Sequence, residues 1–286
     1  MKSKKIICLL FLLSLIAVTS CKKMSKQEER EVSIPQEIES QHSQEEPVPS
    51  IPLQHQALLA AYPEMIKEIK DNYVVLSNGE KIIYDDGKEK NFEGRLDDSD
   101  IEDMFYDVYR LPDPEPPYQF DPGRSRNEAL YKAMYGQSAE AVRKNLTGVE
   151  WFGQKVLFTS VNGGADSLKA VAKEIADHPD LNPYLKSSGT FYWRPVRGAN
   201  RMSAHSYGIA FDIAVDKSDY WQWRGKTNDE NKKVPYANKI PRKIVEIFQK
   251  HGFIWGGAWY HYDTMHFEFR PELLEYARLT EAEQVR

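Results

Sequence analysis

Between Lys22 and His55 the chain has no aromatic residue and no apolar period, only a run rich in Glu, Gln, Ser and Pro, so a core has to be built from Gln56 onward. Such a run cannot bury enough apolar surface to order itself, and residues 21–55 read as a tether. About 34 flexible residues give an r.m.s. span of roughly 30 Å. Ahead of the tether, Lys2, Lys4 and Lys5 precede an apolar run from Ile6 to Val18, which meets small residues and then Cys21. That layout is a secretory signal peptide over residues 1–20, its apolar run too short to cross a ~30 Å hydrocarbon layer. Cys8 and Cys21 are the two cysteines of the 286 residues, so the folded part has neither a disulfide framework nor a thiol nucleophile.

The rest of the chain has material for a core: 41% of all residues are hydrophobic and six are Trp. A net charge of -5, with Lys and Arg interleaved among Asp and Glu and no basic stripe, argues against nucleic acid as a partner. Residues 56–124 are mixed and are expected to form a small subdomain or lid. Leu58 to Ile69 has helical spacing broken by Pro63, and Tyr73 to Tyr84 reads as a hairpin around Asn78-Gly79. Residues 125–280 read as the main domain. Helices are predicted from Ser125 to Tyr135, Ser138 to Leu146, Asp166 to Asp177 and Pro241 to His251. Strands are predicted at Val156–Val161, Thr190–Trp193, Gly208–Val215 and Met265–Phe269. Helices early and strands late indicate an α+β fold with a small antiparallel sheet.

Three segments gather His, Asp and Arg among aromatics: Phe191-Tyr192-Trp193-Arg194, then Ser203 to Asp212 (SAHSYGIAFD), then Asp263 to Glu268 (DTMHFE). Ala210, Asp212 and Ala214 share one strand face by the period of two, and a carboxylate among small apolar neighbours needs a partner or a metal. His205, Asp212 and His266 offer three N/O ligands, which suits a tetrahedral Zn²⁺ with its fourth position left to water; zinc lowers that water's pKa to ~7 and polarises the carbonyl under attack. Asp263, three residues from His266, has the wrong parity to share a straight strand face with it. The chain must bend between them if Asp263 is to move protons at the same site. His261 is read as orienting Asp263, lining the substrate groove or simply being exposed, and Glu268, two beyond His266, is either a partner of that histidine or a solvent-facing charge.

The pattern SxHxxGxAxD, followed about fifty residues on by DxMHFE, resembles the M15 family of zinc peptidases, which includes D-alanyl-D-alanine carboxypeptidases and L-alanyl-D-glutamate endopeptidases. The resemblance covers roughly residues 125–275 and implies the small α+β fold shared with Hedgehog signalling domains. It places the zinc ligands on His205, Asp212 and His266 and the catalytic carboxylate on Asp263. The family's oxyanion- or substrate-holding arginine matches Arg194, with Arg197 close by, and Ser203 matches the serine before the first histidine. The implied substrates are peptidoglycan stem peptides. Val18-Thr19-Ser20-Cys21 resembles the lipobox of bacterial lipoproteins, which implies acylation of Cys21 and anchoring to a membrane of the cell envelope, on its periplasmic or outer face. The alternative is a catalytically silent wall-binding module of the same fold. A silent relative is expected to have lost the carboxylate, the arginine or a ligand, and this chain keeps them all.

Overall fold

In the computed structural model, which describes residues 51–285, the first element is a helix, α1 (Leu53–Ala61), brought to an end by Pro63. The residue before a proline is pushed out of the helical region, and Tyr62 closes the helix with its N–H on the Leu58 carbonyl. Leu53, Gln54 and His55, read as the end of the tether, are therefore helical; the signal sequence, Cys21 and the tether as far as residue 50 lie outside the described residues. Where helical spacing ran on to Ile69, the chain forms a strand instead, β1 (Ile66–Lys70). Asp71 and Asn72, at φ 51° and 62°, make the two-residue turn that favours a hairpin, and the chain returns as β2 (Tyr73–Leu76). Asn78-Gly79 then turns it into β3 (Lys81–Ile83), as the sequence predicted.

A short helix, α2 (Phe92–Asp97), capped by the Asn91 side chain, leads into irregular chain as far as α3 (Glu128–Tyr135). The cap of α3 is Asn127, whose Oδ1 accepts the Leu130 N–H at 2.8 Å, so the helix begins later than the predicted Ser125. Gly136 ends α3 at φ 135°, where a Cβ would stand 2.8 Å from the Val142 nitrogen. Ser138 caps α4 (Ala139–Lys144), which is shorter than predicted because Leu146 already opens a strand. β4 (Leu146–Trp151) and β5 (Gln154–Thr159) form an antiparallel hairpin, and α5 (Gly164–Ile175) packs Leu168, Val171 and Ile175 into the core.

The sheet that matters for the site contains β6 (Ser187–Gly189), β7 (Ala210–Ile213), β8 (Phe253–Trp255) and β9 (His266–Phe269), in the order β6-β7-β9-β8 with every neighbour antiparallel. Helices α6 (Trp221–Gly225) and α7 (Arg242–Lys250) lie between β7 and β8, and α8 (Pro271–Gln284), which the sequence did not announce, follows β9. The mixture of small antiparallel sheets and flanking helices is the expected α+β class. Phe248 of α7 stacks on Phe267 of β9 at 4.0 Å and fixes the back of this sheet.

Residues 190–193 are not a strand. Thr190 gives its carbonyl to the His205 ring and Tyr192 gives its N–H to the His205 carbonyl, so this stretch wraps the histidine instead of joining a ladder. Residues 56–124 do not build a core of their own either. Leu58, Ile82 and Phe105 belong to the same buried cluster as Phe211 and Phe267.

Candidate metal centre and cleft

Register brings the first two candidate ligands together. Asp212 on β7 stands directly opposite His266 on β9, and directly opposed residues of an antiparallel pair point to the same face. Glu268 follows on that face by the period of two, opposite Ala210, whose small side chain leaves it room. His205 arrives from a single 3-10 turn, Ala204–Tyr207, closed by Gly208 at φ 69°. Glycine is favoured there, because the left-handed φ strains other residues and a Cβ at 208 would come within 2.4 Å of Leu146 Cδ2, which would have to move.

The donor atoms of His205, Asp212 and His266 all lie within 4.8 Å of one another. His205 Nε2 is 3.2 Å from Asp212 Oδ2, and His266 Nδ1 is 2.9 Å from Asp212 Oδ1. The outer ring nitrogens fix the tautomers. His205 Nδ1 faces the Thr190 carbonyl at 2.5 Å, which can only accept, so that nitrogen carries a hydrogen and Nε2 is the one turned to the centre. His266 Nε2 likewise meets Glu268 Oε1 at 2.9 Å, leaving Nδ1 for the centre.

Burial alone would lower the pKa of His266, but Asp212 and Glu268 outweigh it and lift the ring to about 10. Burial alone would raise the Asp212 carboxyl, which the two histidines instead hold far below the carboxylate range. A proton on His266 is thus the charge that this cluster retains in the absence of an ion, and a divalent cation would take its place. Two imidazole nitrogens and one carboxylate oxygen suit zinc, so the residues fit the ion that the sequence implied. The acidic group Asp86, Asp100 and Asp103 makes no such demand. Lys90 Nζ already sits among its carboxylates at 3.2, 3.0 and 2.7 Å.

Asp263 reaches the centre because the chain bends, as its parity required: the His266 N–H turns back onto the Asp263 carbonyl at 3.2 Å. Its Oδ1 is buried without a hydrogen-bond partner. Burial raises this carboxyl to about 7, with the Asp212 charge adding to the rise and the two histidines opposing it. A buried acid with a free oxygen and a pKa near neutrality is suited to taking up and releasing a proton.

These residues line a cleft of about 300 Å³, which also gathers Arg194, Arg197, Ser203 and His261 from the sequence reading. Arg194 is exposed, and its guanidinium is bound only to its neighbour, the Pro195 carbonyl, at 3.1 Å. Its backbone is held by Ser206, whose Oγ accepts the Arg194 N–H at 3.0 Å and donates to the Arg194 carbonyl at 2.8 Å. Ser203 lines the cleft and adds a second hold on this arginine, its N–H donating to the Arg194 carbonyl at 3.1 Å. His261 lines the cleft, but both of its ring nitrogens are already engaged. Its Nδ1 meets Asp121 Oδ2 at 2.6 Å and its Nε2 meets the Glu230 carbonyl at 2.8 Å, so neither nitrogen is free for a substrate.

The site also draws on residues that no motif announced. Arg126 Nη1 binds Glu268 Oε1 at 3.0 Å, and its Nε is buried without a partner. Arg124 ties Asp121 to Glu230, at 2.7 Å each. Glu268 is 1% exposed and is the partner of His266, which settles its two readings. Trp223, Tyr220 and Met265 complete the walls.

Residues 197–269 match the peptidase family model described as D-alanyl-D-alanine carboxypeptidase. The matched segment holds all three candidate ligands, Asp263 and Glu268, begins at Arg197, and leaves Arg194 three residues outside. It is narrower than the similarity read from the motifs. Neither the curated proteins nor the solved structures give a match to the chain.

Proposed function

Taking as premise that residues 197–269 are an M15-type peptidase segment, we propose that the chain hydrolyses a peptide bond in peptidoglycan stem peptides, with zinc held by His205, Asp212 and His266. The observation that carries this reading is the unpartnered, buried Oδ1 of Asp263 beside the three-donor cluster in one cleft. Zinc, when bound, supplies Lewis acidity toward the carbonyl and acidifies water. The chain supplies the remainder. Asp263 takes the proton from the attacking water and delivers it to the leaving nitrogen, while Thr190 and Glu268 keep the histidine rings turned to the centre.

Arg194 and Arg197 face the same cleft without a carboxylate partner among the described residues. They suit the feature that the two candidate bonds share. In a D-Ala-D-Ala bond and in an L-Ala-D-Glu bond alike, the leaving residue carries a free α-carboxylate next to the nitrogen. A guanidinium there orients the substrate and rejects peptides that lack the charge. The signal sequence, Cys21 and the tether support a lipid-anchored enzyme of the cell envelope working on the adjacent wall.

The test is mass spectrometry of defined muropeptides incubated with the zinc-loaded chain. Loss of one terminal D-Ala, or a cut after L-Ala, is expected and identifies the bond. Muropeptides left intact by a protein that has taken up zinc would overturn the hydrolytic reading.

A further inference from the structure

Arg126 stands behind the metal centre in a place that hydrogen bonding alone does not explain. Its Nη1 donates to the Gly123 carbonyl at 2.9 Å and to Glu268 Oε1 at 3.0 Å. Both acceptors have other donors. Arg270 Nη1 reaches the same Gly123 carbonyl at 2.9 Å, and the Glu268 carboxylate also takes His266 Nε2 at 2.9 Å and Arg270 Nη1 at 3.3 Å. Removing the Arg126 guanidinium therefore leaves neither acceptor unpaired. Its own Nε, by contrast, is buried without a partner among the described residues, which costs stability. The side chain is 9% exposed and lines the cleft, so its charge is little screened by water.

What Arg126 supplies is a positive charge at one point. It shares Glu268 Oε1 with His266 Nε2, so the two donors compete for a single oxygen. Behind the His266 ring stand two carboxylates, Glu268 and Glu272, and two guanidiniums, Arg126 and Arg270, with Arg270 bonded to both carboxylates. The four charges sum to zero. Without Arg126 the same group carries one negative charge. A carboxylate on the outer nitrogen of a metal-binding histidine raises the donor strength of the inner one, and a cation on that carboxylate opposes the effect. Arg126 comes from the chain just ahead of α3, outside the segment matched by the family model.

We infer that Arg126 is a positioning residue that limits the grip of the centre on its cation, by drawing Glu268 away from His266 and keeping the group behind the ligand neutral. This rests on the reading of His205, Asp212 and His266 as metal ligands. Glu268 and Arg126 act in opposite directions through one oxygen: the carboxylate strengthens the ligand and the guanidinium moderates it. A cation less fully compensated by its donors is the stronger Lewis acid, which suits a centre that has to polarise a carbonyl.

The experiment measures the zinc affinity of the full chain by competition with a chelating dye at one fixed pH, beside the zinc-free Tm. Arg126→Met keeps much of the bulk and removes the charge. It should bind zinc about tenfold more tightly, the order expected on removing a poorly screened unit charge near a dication. Arg126→Lys retains the charge and should stay within about threefold of the parent. Arg126→Gln gives the same readout as the Met variant if that protein does not fold. A purely structural role predicts the reverse sign, a lower Tm with weaker zinc binding, and unchanged or weakened affinity in a folded Met or Gln variant would overturn the inference. A raised KM with unchanged zinc affinity would make Arg126 a substrate contact and overturn it too. Affinity is read with no peptide present, so failure of the hydrolytic reading leaves the result standing, whereas a parent chain that takes up no zinc would remove the metal reading and the inference with it.

Discussion

Glu268→Gln removes one negative charge from a buried junction of three donors. The carboxylate takes His266 Nε2 at 2.9 Å and Arg126 Nη1 at 3.0 Å on Oε1, and Arg270 Nη1 at 3.3 Å on Oε2. Burial by itself would raise its pKa, but Arg126, His266 and Arg270 outweigh that and hold it at about 2, so at neutral pH the acid is ionised. A carboxamide keeps one acceptor and turns an NH₂ toward a second donor, leaving a buried arginine short of its counter-charge. Breaking a buried pair from one side costs about 3–5 kcal/mol. For a folded part of this size that lowers Tm by roughly 10 °C. Through His266 the same change weakens zinc binding by about 10–100-fold, the usual effect of losing the partner that orients a ligand. Differential scanning calorimetry of zinc-loaded and zinc-free protein, with competition against a chelating dye, separates the two effects. The loss of Tm should persist without zinc, whereas the affinity change belongs to the ligand. A variant with unchanged zinc affinity and a Tm within about 2 °C of the parent would refute the assignment of Glu268 as the support of the metal centre.

Asp263→Ala should retain about one zinc per chain while turnover falls by roughly 10²–10⁴-fold, whereas His205→Ala should lose zinc itself; metal analysis beside the muropeptide assay distinguishes them. The rate should rise with pH as Asp263 ionises, since it works as a base. Burial places that carboxyl at about 7 in the zinc-free chain, and a bound dication favours the charged form, so the acid limb of kcat/KM for the loaded enzyme should lie below 7. Arg194→Ala should cut kcat/KM and leave Tm unchanged, because the guanidinium is exposed and bonded only to the Pro195 carbonyl. Cys21→Ala should abolish palmitate labelling and partition into detergent, and a parent chain that stays aqueous and unlabelled would remove the anchor.

What could be read from the sequence is what local geometry encodes. Of the candidate ligands, Asp212 and His266 share one face because the strand register sets them opposite each other, whereas His205, which comes from the turn before β7, was marked only by its place in the SxHxxGxAxD pattern. The turn between Asp263 and His266 was legible from parity alone. The hairpin at Asn78-Gly79 declared itself by its turn chemistry, whereas the one at Asp71-Asn72 was hidden under a helical spacing that Pro63 had already made untenable. Helix α8 buries only Glu272, Leu273 and Ala277, too few apolar residues to mark a face, and so gave no periodic signal. Asp121, Arg124, Arg126 and Glu230 were illegible for another reason. They come from irregular chain and meet His261 and Glu268 only through contacts more than thirty residues apart in sequence.

Those distant contacts explain why residues 56–124, which carry no family resemblance, share the core with the peptidase segment. The match ends at Phe269, one residue short of Arg270, whose Nε binds Glu272 at 2.5 Å while its Nη1 reaches Glu268. Glu272 in turn accepts the Tyr62 hydroxyl at 2.7 Å, at the end of α1. Tyr62, Glu272, Arg270, Glu268 and His266 thus form an unbroken line of buried polar contacts from the first helix to a candidate metal ligand. Buried ion pairs of this kind add little to stability over apolar packing, but leaving one member without its partner is costly. The arrangement therefore ties the end of α1 to the polar contacts that support His266. The segment matched by the family model holds the candidate ligands, Asp263 and Glu268, and the unmatched segments supply Arg126 and Arg270, which pair with Glu268, and Glu272, which pairs with Arg270.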